Sequence, residues 1–161
     1  MPFFRYLMLL SLVVWLGGLI FFSFVLAPTV FSVLPTRHLA GSVVSRSLGA
    51  LHWIGIVSGI VFLTTSMLYS RLHAGSAQPL SPRHVLLYLM LALTLISQFG
   101  ISPRMATLRA SMPDTNSVAA TDPVRVQQFN ALHAWSTRLE GGVLLLGLVV
   151  VYLTAQQLSG G

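Results

Sequence analysis

The chain has 161 residues, of which 55% are hydrophobic and 7% are charged, with a mean hydropathy of +0.81. Soluble domains carry roughly one-quarter charged residues, so this composition excludes an ordinary water-soluble fold and indicates a membrane protein. The absence of cysteine excludes disulfides, thiolate metal sites, iron–sulfur clusters and cysteine nucleophiles. All nine basic residues are arginines and they form no aromatic-interleaved basic patch, which argues against a nucleic-acid partner.

Four long segments of the chain carry no charged residue, namely 6–36, 47–70, 84–103 and 141–161. A charge near the middle of a bilayer costs roughly 2.5 kcal/mol or more, and about 20 helical residues are needed to cross it. These gaps therefore predict an all-α integral membrane four-helix bundle that forms one domain over residues 1–161. The predicted spans cover about 6–34, 47–70, 84–103 and 141–158.

Local signals at the helix ends predict that two of the four helices are longer than a span. Thr36 can cap the second helix, and Asp122 followed by Pro123 can start the fourth. Each would run for about 35 residues, or roughly 50 Å, which exceeds the hydrocarbon thickness of a bilayer. In the odd-numbered helices, Pro28 and Pro103 are expected to kink or end the helix.

The distribution of arginines predicts the orientation. Four crossings place both termini and the 70–84 connection on one side, and the 35–47 and 102–139 connections on the other. Within the 102–139 connection, residues 110–121 are expected to form a flexible loop. Six arginines lie on the second side and three on the first. The positive-inside rule then places both termini outside the cytoplasm. Helices 2 and 4 are expected to protrude from the inner membrane on its cytoplasmic side.

A stripe of small residues runs along the second helix at spacings of three or four. Such a stripe permits close approach of two helices and predicts a packing interface that also directs His52 toward protein. The predicted helix-packing residues are Gly41, Ser45, Gly49, Gly55 and Gly59.

A polar stripe enters the membrane on the fourth helix, where His133, Ser136 and Glu140 share a face. Ionisable residues inside or at the edge of a membrane are expensive and require partners. The expected partners of Glu140 are Arg104, Arg138 or a histidine, in a buried polar network that fixes helix register.

A sharper alternative is that His52 and His133 hold a metal ion or provide the two axial ligands of haem b, since imidazole suits both. His38, His73 and His84 are instead expected to be interfacial loop residues. The six methionines are scattered and do not form a copper motif, and no hydrolase or phosphate-loop motif occurs.

Several motifs, taken in order, resemble one bacterial family. Residues 15–22 read Trp-Leu-Gly-Gly-Leu-Ile-Phe-Phe, residues 27–31 read Ala-Pro-Thr-Val-Phe, and residues 101–104 read Ile-Ser-Pro-Arg. Together with Phe129, His133 and Ser136 they resemble "domain of unknown function 4149", a family related to eukaryotic transmembrane protein 205. The resemblance implies a four-span fold in the cell membrane, and it brings no reaction or cofactor. The family commonly has Asn where this chain has Glu140, so the chain departs from the pattern there.

These observations favour a non-enzymatic membrane protein that acts as a scaffold or as an accessory subunit of a membrane complex. The glycine stripe is suited to a helix–helix interface, and the sequence has no set of residues arranged for catalysis. Both observations support this interpretation. The expected partners are the lipid bilayer and other membrane subunits or a second copy of the chain. The alternative is a haem- or metal-handling membrane protein that uses His52 and His133.

Overall fold

The computed structural model describes residues 2–74, 80–111 and 122–159, and every regular element within these ranges is helical. Each of the four helices is long and apolar enough to cross a membrane, as the charge-free segments predict. The helices are α1 (Pro2–Val33), α2 (Arg37–Ala74), α3 (Pro82–Ala110) and α4 (Pro123–Ser159).

The four helices close into a ring in chain order. Helix α1 packs against α2 and α4, and helix α3 packs against the same two neighbours. Because consecutive helices are joined by short connections, they run antiparallel, so that α2 and α4 point in the same direction.

The inside and the outside of this bundle are both apolar. Trp15 and Phe62 lie in the buried core, with 2% and 0% of their surface exposed. On the outside, Val13, Phe24 and Leu145 are 66%, 69% and 67% exposed. An outer surface covered with large apolar side chains is what lipid contact requires, and it is rare in soluble monomers.

The predicted starts of the two even-numbered helices are confirmed. The Thr36 hydroxyl accepts a hydrogen bond from the Leu39 N–H at 3.2 Å, and the Asp122 carboxylate accepts one from the Val124 N–H at 3.0 Å. Helix α2 has 38 residues and α4 has 37. At 1.5 Å per residue each is about 55 Å long, well beyond the roughly 30 Å of hydrocarbon. Residues 112–121 of the predicted flexible loop lie outside the described residues.

A kink or an end of the helix is expected at Pro28 and Pro103, and an end is wrong at both, although the first span does end at Val33, close to its predicted limit at about residue 34. Helix α1 continues to Val33 and α3 to Ala110, because a π-helical turn precedes each proline, at Phe22–Leu26 and Ile96–Ile101. In these turns the N–H of the residue before each proline bonds to a carbonyl five residues back instead of four. The wider turn moves the preceding carbonyls away from the proline ring, which removes the clash that would otherwise break the helix.

Candidate functional site

A cluster of four polar side chains lies inside the bundle, and we call it the polar centre: His52, Ser97, Gln98 and Glu140. His52 is in the middle of α2 and is 2% exposed. Its Nε2 atom lies 2.6 Å from Oε1 of Glu140, and its Nδ1 atom lies 2.8 Å from Oε1 of Gln98. One imidazole therefore connects three of the four helices.

The carboxylate of Glu140 is brought to this point by α4. Its Oε1 atom also accepts a hydrogen bond from the Ser97 hydroxyl at 3.2 Å. The side chain is 12% exposed, whereas the side chain of His52 is 1% exposed. The glutamate side chain is thus slightly exposed, whereas the imidazole is fully buried inside the bundle.

The π-helical turn of α3 supplies the other two members of the polar centre. Ser97 and Gln98 are adjacent in this turn, and the two side chains bracket the His52–Glu140 pair from the same helix. Single π-helical turns recur at functional sites, because they alter the direction of side chains within an otherwise regular helix. The turn that lets α3 pass Pro103 also contains both of these partners.

The hydrogen bonds define how protons are held in the polar centre. When Nδ1 donates to the amide oxygen of Gln98, one further proton lies in the 2.6 Å contact between Nε2 and the carboxylate. This proton can reside on either partner, which gives an ion pair or a neutral pair. Both forms have zero net charge, which lowers the cost of placing two titratable groups inside a membrane.

A second buried histidine lies toward the opposite end of the bundle. His84 is 0% exposed; its Nδ1 atom is 2.9 Å from the Ser81 hydroxyl, and its Nε2 atom is 2.8 Å from the Ser66 hydroxyl. The expectation that His84 is an interfacial loop residue is therefore wrong. Through its hydrogen bond with Ser66, His84 connects the first turn of α3 to α2.

The structure separates the other predicted polar residues from the polar centre. Among the partners expected for Glu140, a histidine is the one present, and neither arginine contacts the carboxylate. Arg138 lies 5.5 Å from the ring centroid of Trp135, and Arg104 is exposed on the last turns of α3.

The remaining members of the α4 stripe differ from one another in burial. Ser136 is buried, with 6% of its surface exposed. His133 is exposed and stacks on Phe129 with a centroid distance of 6.4 Å. It precedes Glu140 by two helical turns, or about 10 Å. The structure therefore does not bring His133 to the polar centre.

The glycines of α2 have different surroundings. A Cβ atom added to Gly55 would lie 2.5 Å from Nε1 of Trp15, and one added to Gly59 would lie 3.0 Å from the same indole. These two glycines admit the indole of α1 into the core. Gly41 lies against the guanidinium of Arg109, since an added Cβ would be 3.2 Å from Nη2.

The rest of the predicted stripe is less tightly packed. Gly49 has open space where a Cβ would be, and Ser45 is half-buried. Close helix approach is therefore concentrated at the Gly55–Gly59 end of the stripe, where α2 meets Trp15 of α1 and Leu91 of α3.

The described residues contain no group of three or more His, Asp or Glu side chains that could hold a metal ion. In the polar centre, both nitrogens of His52 are already hydrogen-bonded to protein. A metal or haem iron needs a free nitrogen lone pair, so either ligand would have to displace Gln98 or Glu140 first.

Sequence reasoning missed Ser66 and Gln98, which bond to the buried histidines, and Ser97, which bonds to Glu140. All three are uncharged, so locating the charged residues that bound the spans does not identify them. The available signal was polarity inside a charge-free span, because Gln98 lies within the 84–103 segment. A buried amide needs partners, and this requirement points to the nearest imidazole.

Four apolar helices around a hydrogen-bonded polar centre are the features of a multi-pass membrane protein of the four-helix class. A family model described as Domain of unknown function (DUF4149) matches residues 10–114. The chain belongs to this family. The matched region includes His52, Ser97 and Gln98, whereas Glu140 lies beyond it. Comparisons with curated proteins and with solved structures find no match.

Proposed function

We propose that the chain is a non-enzymatic integral membrane protein that serves as a scaffold or as an accessory subunit of a membrane complex. The observation that carries this proposal is that His52 and His84 both use their two ring nitrogens to bond side chains of the bundle. A catalytic or ligating imidazole needs a nitrogen that faces a substrate or an ion. Histidines bonded in this way act as cross-links that hold the helices in register.

The outer surface supports a role in binding other membrane components. Large apolar side chains cover all four helices on the outside, and Gly17 and Gly141 are exposed with open space around their Cα atoms. Small residues on an outer face permit another transmembrane helix to approach closely. The occupants of this surface in the proposed function are lipid and the helices of another subunit or a second copy.

The proposed location is the inner membrane, with both termini outside the cytoplasm and with α2 and α4 extending beyond the lipid on the cytoplasmic side. The six-to-three arginine distribution supports this orientation. A relation of the family to eukaryotic transmembrane protein 205 is also proposed, from the order of motifs in the sequence.

The scaffold proposal is tested by isolating the protein from its native membrane in mild detergent, crosslinking it beforehand, and identifying what accompanies it. We expect a defined assembly with a second membrane protein or with further copies. As a control, the bundle should be isolated in the same way after Gly17 and Gly141 are both replaced by Leu, which enlarges the outer face without touching the polar centre. A parent protein that is monomeric and without companions would refute the scaffold role.

The alternative role in haem or metal handling through His52 and His133 is tested on the same preparation. Visible absorption and metal analysis should show neither a Soret band nor a stoichiometric metal. A Soret band that disappears on His52→Ala would establish the alternative and overturn the proposed function.

The orientation is tested with single cysteines, which is straightforward because the chain has none of its own. Leu80, which is 80% exposed, follows α2, and Gln127 is exposed near the start of α4. We expect Leu80→Cys to react with an impermeant thiol reagent in intact cells, and Gln127→Cys to react only after the membrane is opened. The reverse pattern would reject the orientation.

A further inference from the structure

An open groove lies between the end of α3 and the beginning of α4. Its volume is about 550 Å³, within the range of small-molecule sites. Helix α3 contributes Arg104, Thr107 and Leu108, and α4 contributes Gln128, Ala131 and Leu132. The groove thus combines one cationic side chain with an apolar floor.

The charge of this groove is uncompensated by the residues that line it. No acidic side chain is among the lining residues. Across residues 2–74, 80–111 and 122–159, the two ion pairs join His52 to Glu140 and Arg125 to Asp122, and Arg104 belongs to neither. The guanidinium therefore presents its N–H donors to the groove and its surroundings, where an anion would satisfy them.

The depth of the groove follows from the helix register. Ser97 bonds to Glu140, so these two residues mark one level of the bundle. Arg104 lies about 10 Å beyond Ser97 along α3, and Leu132 lies about 12 Å from Glu140 along α4 in the same direction. Arg104 is also the first charged residue after the 84–103 span. A charged residue at the end of an uncharged span is expected at the edge of the hydrocarbon, beside the headgroup layer, which is roughly 5–7 Å thick on each side.

We propose that the groove between α3 and α4 binds the phosphate headgroup of an anionic phospholipid, with Arg104 as its principal ligand. Gln128 can add an amide donor, whereas the Thr107 hydroxyl already donates to the Pro103 carbonyl at 3.0 Å and is left as an acceptor. Leu108, Ala131 and Leu132 face the glycerol and the first methylenes of the acyl chains. Basic pockets between transmembrane helices bind anionic headgroups by this combination of contacts.

The proposal places the lipid in the cytoplasmic leaflet, where anionic lipids concentrate, and in this respect it rests on the proposed orientation. Binding by purified protein does not depend on orientation or on a partner subunit, so the two proposals can fail separately.

The test is native mass spectrometry of the detergent-solubilised protein titrated with phosphatidylglycerol or with phosphatidylcholine of the same acyl chains. We expect a saturable preference for phosphatidylglycerol that falls roughly tenfold in Arg104→Gln, the loss expected for one charge-assisted contact. The matched control is Arg138→Gln, which removes an exposed arginine from the same side of the bundle but outside the groove and should bind as the parent does. Ala131→Trp, which fills the groove without a change of charge, should also lose the preference.

Three results would overturn the proposal. These are equal binding of the two lipids, equal loss in the Arg104 and Arg138 variants, and retained binding in Ala131→Trp. Millimolar inorganic phosphate serves as a further arm; full displacement of the lipid by phosphate would identify a free-anion site instead of a lipid site. Helical circular dichroism of each variant establishes that the bundle is intact.

Discussion

The contact between His52 and Glu140 gives the sharpest test of how the bundle is held together. Replacing Glu140 by Leu leaves the Nε2 atom of His52 and the hydroxyl of Ser97 without their shared acceptor. The imidazole cannot turn toward water, because only 1% of its side chain is exposed. The substitution therefore leaves a polar group inside the bundle without a partner, which is the costly way to break a buried pair.

The size of this loss can be bounded from two directions. Hydrogen bonds between transmembrane helices contribute about 0.6 kcal/mol on average, because the unfolded chain in the membrane also finds partners. Breaking one side of a buried charged pair in a soluble protein costs about 3–5 kcal/mol. The short charge-assisted contact and the sealed imidazole favour the upper part of this interval, whereas the 12% exposure of Glu140 allows some relief. We expect Glu140→Leu to lower the free energy of unfolding by about 2–4 kcal/mol.

Three other substitutions separate the effect of the hydrogen bonds from the effect of the charge. Glu140→Gln keeps an acceptor oxygen near Nε2 and should lose only about 1 kcal/mol. Gln98→Leu removes the partner of Nδ1 and should lose about 1–2 kcal/mol, with the His52–Glu140 contact retained. The control is Arg138→Leu, which removes an exposed charge two residues from Glu140 and should change stability by less than about 1 kcal/mol.

The assay is unfolding in mixed detergent micelles followed by far-ultraviolet circular dichroism, carried out as a double-mutant cycle with His52→Leu and Glu140→Leu. Removing both partners relieves the unpaired group, so the double variant should lose at least 1 kcal/mol less than the sum of the single losses. Strict additivity would refute a direct interaction, and so would a Glu140→Leu protein as stable as the parent.

Two further predictions concern packing and the second buried histidine. Gly55→Ala should destabilise the bundle by about 1–3 kcal/mol because its Cβ would lie 2.5 Å from the buried indole of Trp15, while Gly17→Ala, which meets no atom within 4 Å, should be neutral or slightly stabilising in the same unfolding assay. His84→Ala should lower the free energy of unfolding by about 2–4 kcal/mol, because it leaves a cavity and an unpaired hydroxyl on Ser66. Amide hydrogen exchange should then rise first at the beginning of α3, and unchanged exchange there would contradict the proposed cross-link.

The four-helix architecture could be predicted from the sequence because the physics that sets it is local and strong. Charges are excluded from the hydrocarbon, so the gaps between Arg5, Arg37, Arg46 and Arg71 bound the first two spans directly. Helix starts such as Thr36 are equally local, since a side-chain oxygen must meet an N–H three residues on.

The partner of Glu140 could not be predicted in the same way, because it depends on how far each helix is shifted along its neighbours. Arginine is a strong partner for a carboxylate in isolation, so Arg104 and Arg138 are predicted as alternatives to a histidine. In the folded chain both arginines are exposed on the outside of the bundle and do not reach the carboxylate. A histidine can hold the carboxylate as an ion pair or as a neutral pair, and the register of α2 against α4 places His52 beside Glu140.

Helices α1 and α3 differ chemically because of the side chains that their π-helical turns carry. Helices α1 and α3 share a geometric device, a π-helical turn whose last bond ends one residue before Pro28 or Pro103. In α1 this turn contains only Phe, Ser, Val and Leu, and none of its residues is buried; in α3 it contains Ser97 and Gln98 and faces the imidazole. The π-helical turn accommodates the proline in both α1 and α3. Only in α3 does a polar residue of this turn, Gln98, bond to His52. The polar centre therefore arises from side-chain identity on a repeated backbone feature, and replacing Gln98 should disturb it while leaving both helices continuous past their prolines.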